Sequence, residues 1–160
     1  MQKITPFLWF EDNAEEAVDF YVSIFKSSRK KAVSYYPESV AEAAKRTAGS
    51  VMIVSFELDG QEFVAMNGGP AFKFNEAISF VVNCDTQDEI DYYWEKLTAD
   101  GGQEIQCGWL KDKYGLAWQI TPTFIFESIS SEDPEKTNRV MQAVMTMKKL
   151  DLEQLKRASG

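Results

Sequence analysis

Apolar and polar positions change rhythm twice along this chain, and the two cycles run in the same order. Residues 4–10 open with an apolar run of Ile4, Phe7, Leu8, Trp9 and Phe10 that predicts a buried strand. Asn13 with Glu16 has capping-box spacing, and Ala14, Ala17, Val18, Tyr21, Ile24 and Phe25 then recur at helical intervals. A strand follows over residues 30–36 and stops at Pro37. Residues 38–48 are Ala-rich and polar by turns, consistent with a short helix or a loop. Strict alternation over residues 51–58, the Asp59-Gly60 turn and a return over residues 61–66 predict a hairpin, which ends at Asn67-Gly68-Gly69-Pro70.

The second cycle begins with a strand over residues 78–82. Thr86 with Glu89 repeats the capping box, and Ile90, Tyr93, Trp94 and Leu97 repeat the helical stripe until Gly101-Gly102. Short strands are expected around residues 104–107 and 109–111, with a last strand over residues 116–121 closed by Pro122. The tail predicts two helices. Asp133-Pro134 starts one whose apolar side is Val140, Met141, Val144 and Met145, and Asp151 with Gln154 starts the other, carrying Leu152 and Leu155.

Laying residues 12–17 over residues 85–90 aligns the two helix starts, and the same offset pairs Phe20 with Tyr93 and Tyr21 with Trp94. One strand–helix–strands unit leaves a sheet face uncovered, so a duplicated unit suggests paired layers and a ligand-sized concavity. The expected organisation is one domain over residues 1–160. Module one spans about residues 1–70, module two about 76–125 and the helical tail about 132–158.

Composition then narrows the chemistry. The 160 residues carry a formal net charge of −8, which repels phosphate backbones and anionic bilayers, so neither nucleic acid nor membrane is an expected partner. There is no histidine at all, which removes imidazole acid–base catalysis, Ser-His-Asp and Cys-His arrangements and every His-containing metal site. Two isolated cysteines, Cys84 and Cys107, do not form a disulfide framework; both are expected as quiet thiols. Residues 1–6 run straight into a strand pattern without an apolar leader, and the expectation is a cytoplasmic protein.

Several blocks carry a family resemblance: Leu8-Trp9-Phe10, Ala14-Glu15-Glu16-Ala17, Phe20-Tyr21, Gly60-Gln61, Asn67-Gly68-Gly69-Pro70, residues 107–115 (CGWLKDKYG), Trp118-Gln119-Ile120 and Lys148-Lys149-Leu150-Asp151. Together they resemble the PhnB-like branch of the glyoxalase / bleomycin-resistance / dioxygenase (vicinal oxygen chelate) superfamily, also called the 3-demethylubiquinone-9 3-methyltransferase domain. The resemblance implies an α+β fold of paired βαβββ modules forming a cupped mixed sheet, plus C-terminal helices, and a homodimer. Metal-dependent members hold a divalent ion with His, Glu and sometimes Gln on inward strand faces. By register the corresponding positions here are Gln119, Val64, Thr5 and either Ala77 or Ser79, a poor ligand set, so no metal and no cofactor are expected. Gly68-Gly69-Pro70 precedes no predicted helix that could present amides to S-adenosylmethionine, which argues against methyl transfer.

The expected ligand-binding residues are therefore Thr5, Phe7, Trp9, Val64, Ser79, Trp109 and Gln119. Phe7, Trp9 and Trp109 would stack on a small organic molecule, and Thr5, Ser79 and Gln119 would anchor it. The alternative is an enzyme of the superfamily, either lyase- or dioxygenase-like or the methyltransferase of the family description.

Overall fold

The computed structural model describes residues 2–160, which fall into two compact units that part between Lys73 and Phe74. The first is a βαβββ module: β1 (Phe7–Phe10), α1 (Ala14–Ile24), β2 (Arg29–Tyr35), the single-turn α2 (Glu38–Ala41), β3 (Val51–Leu58) and β4 (Gln61–Asn67). The second repeats it: β5 (Ser79–Cys84), α3 (Gln87–Thr98), a 3₁₀ turn (Ala99–Gly101), β6 (Gln103–Glu104), β7 (Trp109–Lys111) and β8 (Ala117–Pro122). The tail adds α4 (Thr123–Ile129), α5 (Pro134–Met145) and α6 (Leu152–Ser159) to the second unit. Strand order is β1-β4-β3-β2 in one sheet and β5-β8-β7-β6 in the other, each with a parallel first pair and antiparallel neighbours. The architecture is α+β, and the repeat legible in the helix starts extends to the whole topology.

Alternation along the strands sends one face of each sheet under its helix. In the first module Leu8, Phe10, Val54, Phe56, Phe63 and Ala65 meet Ala17, Val18 and Tyr21, all buried. In the second, Leu110, Trp118 and Ile120 are buried with Ile90, Trp94 and Leu97. The tail has its own cluster of Ile125, Val140, Val144, Leu150 and Leu155. It is tied back where Cys107 and Gly108 donate their N–H groups to the carbonyls of Met147 and Lys148, and where the Gln87 side chain bonds Leu150 and Leu152.

Several expectations are corrected. Residues 4–10 are not a buried strand: pairing starts at Phe7, and Ile4 and Phe7 are 86% and 55% exposed. Ile78, 72% exposed, likewise precedes its strand. Asn13 makes no side-chain cap; the first amide of α1, that of Ala14, donates instead to the Asn67 Oδ1 at 2.8 Å. Cys107 lies in a turn with φ +63° rather than in a strand. On α5 Val140 and Val144 face the core with Ala143 beside them, while Met141 and Met145 point outward. Helix α4, which the polar-apolar pattern did not signal, follows Pro122 directly. The Thr86–Glu89 capping box, the Asp133 cap and the Asp151 cap all form as their spacing predicts.

Candidate functional site

The face of each sheet that turns away from its helix is the natural place for a site, because it is only half buried yet largely apolar. In the first module, register sets Phe7 beside Val64 and Val64 beside Ser55, and in the next row Trp9 beside Met66 and Met66 beside Ile53. Phe7, Trp9 and Val64 thus share one face, as alternation requires. Thr5 is half buried and precedes the strand.

Trp9 is held rather than loose. Its indole N–H donates to the Gly69 carbonyl at 2.9 Å, and Phe72 meets it edge-on at 5.0 Å between ring centroids. The ring also lies so close to Gly68 that a Cβ there would stand 2.1 Å from its Cζ2, so residue 68 must lack a side chain for the indole to lie flat on the turn. At the far rim of this face the ion pairs Arg29–Glu57 and Lys31–Glu62 bridge strands, and the Lys31 ammonium holds the Glu62 carboxyl below its ordinary range.

In the second module Val81, Gln119 and Trp109 form one row, and Ser79, Ala117 and Lys111 the next. Gln119 Nε2 donates to Ser79 Oγ at 2.8 Å, so the two polar residues of this face are joined. Lys111 pairs with Glu76 and depresses its pKa. Beneath the same strands, Asp112 is 3% exposed and accepts from the amides of Tyr114 and Leu116 and from the Trp118 indole at 2.9 to 3.1 Å. It is a structural carboxylate that shapes the turn before β8.

Six of the seven residues expected from sequence therefore fall into two groups, one on each sheet, and Thr5 lies just before β1. Within the second, Ser79, Trp109 and Gln119 lie together; within the first, Phe7, Trp9 and Val64 do. What the sequence did not single out is Arg46, whose Nε is enclosed without a hydrogen-bond partner, and Phe72, 66% exposed against Trp9. Arg46 sits in the Ala-rich stretch that carries no periodic signal. The sequence held no hint of an unpartnered cation, since Glu42 stands four residues earlier at the spacing of a helical ion pair.

The metal-binding chemistry of the superfamily does not fit these residues. Val64 offers a hydrocarbon, and Gln119 and Ser79 bond to each other. Among the described residues no three His, Cys, Asp or Glu side chains gather to hold an ion. Gly68-Gly69-Pro70 leads into turns, with the next helix starting only at Gln87, so no helix N-terminus stands ready for a cofactor phosphate or carboxylate. Of the two thiols, burial pushes Cys84 up to about 12, which keeps it protonated. Cys107 Sγ lies 3.7 Å from the Met145 sulfur. Among the described residues no helix is long and apolar enough to cross a membrane.

Comparison with known proteins adds the lineage. The profile described as 3-demethylubiquinone-9 3-methyltransferase matches residues 2–121, leaving the three tail helices outside it. The structure of a Bacillus cereus protein described as a putative 3-demethylubiquinone-9 3-methyltransferase, PhnB protein, is 39% identical, with a TM-score of 0.66 over 76% of this chain and 99% of that one. A Pseudomonas aeruginosa protein, 19% identical over 76% of this chain and 98% of its own, shares the fold with a TM-score of 0.59. No curated protein matches the sequence.

Proposed function

Because the chain belongs to the 3-demethylubiquinone-9 3-methyltransferase (PhnB-like) family of the glyoxalase superfamily, we propose that it binds a small organic molecule on the open faces of its sheets, without a metal ion, as a homodimer in the cytoplasm. One observation carries this reading. Each open face is partly exposed and carries aromatic and apolar residues with few polar groups inside its charged rim: Phe7, Trp9 and Val64 in one module, Trp109 with the bonded pair Ser79–Gln119 in the other. Small-ligand sites have this composition, an apolar wall with a few oriented polar anchors. Gln119 keeps its carbonyl oxygen for a ligand donor once its amide is used by Ser79.

Phe7 and Val81, 55% and 39% exposed, are apolar residues on the open faces that a second copy would cover. Methyl transfer has no support in the residues after β4, where glycines lead into turns instead of a helix.

The test is a small-molecule screen by tryptophan fluorescence and melting temperature, on protein whose metal content has been measured. Saturable binding to metal-free protein, weakened by Trp109→Ala and by Gln119→Ala, is expected. Near-stoichiometric nickel, zinc, manganese or iron that raises the melting temperature on titration would overturn the metal-free part. Light scattering at a monomer mass would overturn the homodimer.

A further inference from the structure

Arg46 is the unexplained cation of the first module. The chain is acidic overall, and its other three arginines are engaged: Arg29 with Glu57, Arg157 with Glu153, and Arg139 with the carbonyls of Ala158 and Ser159. Among the described residues Arg46 has no such partner. Its Nε is sealed from solvent with nothing accepting from it, although the residue as a whole is only half buried. The sealed Nε is out of a ligand's reach, so it is the two uncommitted Nη groups that need a reason.

Its position supplies one. The excursion that carries it is pinned at its neck by Tyr36 and Ser50, and the Tyr36 hydroxyl donates to the Asn67 carbonyl at 2.5 Å. The Arg46 amide bonds the Ala41 carbonyl at 2.8 Å, which fixes the backbone beneath the guanidinium. Nη1 comes to 3.6 Å from the point that a Cβ on Gly69 would occupy. The carbonyl of that same glycine accepts the Trp9 indole N–H, and Phe72 stands edge-on to Trp9 with most of its surface in solvent. A cation and an indole thus meet at one glycine, with an exposed phenyl ring against the indole. The amides of Gly68 and Gly69 are already given to the carbonyls of Phe10 and Glu11, so the turn itself offers no oxyanion cradle. Arg46 is the cation placed against that glycine.

We propose that this corner of the first module recognises an oxyanion carried on a flat apolar body. The planar guanidinium would take the oxyanion by its Nη groups, as arginine does with carboxylates, and the body would lie against Phe72 and the rim of Trp9. The inference rests on the reading that the first sheet's open face binds a small molecule, and adds that the molecule is anionic.

The experiment is isothermal titration of the full-length protein with two matched acid and amide pairs, benzoate with benzamide and 2-naphthoate with 2-naphthamide. On the wild type each acid is expected to bind about tenfold or more tightly than its amide, the worth of a charge-assisted pair. Arg46→Gln is expected to bring the acid down to its amide, and Arg46→Lys, which keeps the charge without the planar fork, to recover part of the gap. Acid and amide binding equally on the wild type would overturn this inference while leaving the binding face intact. Failure of all four probes to bind would overturn both. The wild-type ratio needs no variant to fold, and because Nε has no partner, Arg46→Gln is expected to melt near the wild-type temperature.

Discussion

The two modules thread their strands in one order but start their helices and turn their last strands with different chemistry. Helix α3 is capped within its own sequence: Thr86 accepts from the Glu89 amide, and Glu89 reaches back to the Thr86 amide. Helix α1 is capped from the end of β4 by Asn67, a residue 53 positions away, whose Nδ2 also donates to the Val51 carbonyl. The turn before β4 is an exposed Asp59-Gly60 hairpin. Its counterpart before β8 is organised around the buried Asp112, which joins two amides and the Trp118 indole. One topology therefore tolerates either local or long-range satisfaction of the same backbone groups. The difference lies in when the bond can exist: a capping box forms with the helix, whereas the Asn67 cap requires the sheet to be assembled.

The largest expected contrast is between the two turn aspartates. Asp112→Ala strands three donors in the core and is expected to cost about 4 kcal/mol in urea unfolding. Asp59→Ala, in an exposed turn with φ +48°, is expected to cost about 1 kcal/mol. Equal losses would show that the second turn is no more than a hairpin.

A smaller effect separates the caps. Asn67→Ala is expected to cost about 2 kcal/mol, because a buried amide and a partly buried carbonyl lose partners, while Asn13→Ala should change stability by less than about 0.5 kcal/mol. Thr86→Ala should cost about 1 kcal/mol. The reverse order, with Asn13 mattering and Asn67 not, would restore the local cap that sequence spacing suggests for α1.

The smallest effect is electrostatic. Lys149 of the tail, hydrogen-bonded to Asp91 of α3, holds that carboxyl below its ordinary range, with Gln87 assisting. A depressed carboxyl contributes stability above its unfolded value and loses it as pH falls through the folded one. The melting-temperature gap between wild type and Asp91→Asn should be open near pH 7, close on acidification below about pH 4, and shrink in salt. A gap that widens in acid would contradict the assignment.

These contrasts mark what was legible beforehand. Caps written within four residues, Thr86–Glu89, Asp133-Pro134 and Asp151–Gln154, were readable because donor and acceptor are near neighbours in the chain. The face on which Gln119 lies, opposite Trp118 and Ile120, followed from alternation alone. Asn67 read only as a turn residue, since nothing local shows that its side chain will meet Ala14. Ile4 and Ile78 read as strand because apolar character marks a run but not where pairing begins. Arg46 and Phe72 carry no periodic signal; Gly69 brings the Trp9 indole and the Arg46 guanidinium to one point, and Phe72 meets the same indole.

Sequence alone carried the element order of the two modules, the duplication, the apolar faces and the caps of α3, α5 and α6, all of which depend on residues close in the chain or on a repeating period. Tertiary structure decided that Asn67 caps α1, that Asp112 is buried, that Ser79 and Gln119 are bonded, and that Arg46 is left without an acceptor. Those are matters of distance between segments far apart in the chain, and composition and spacing hold no record of a distance until the strands have paired.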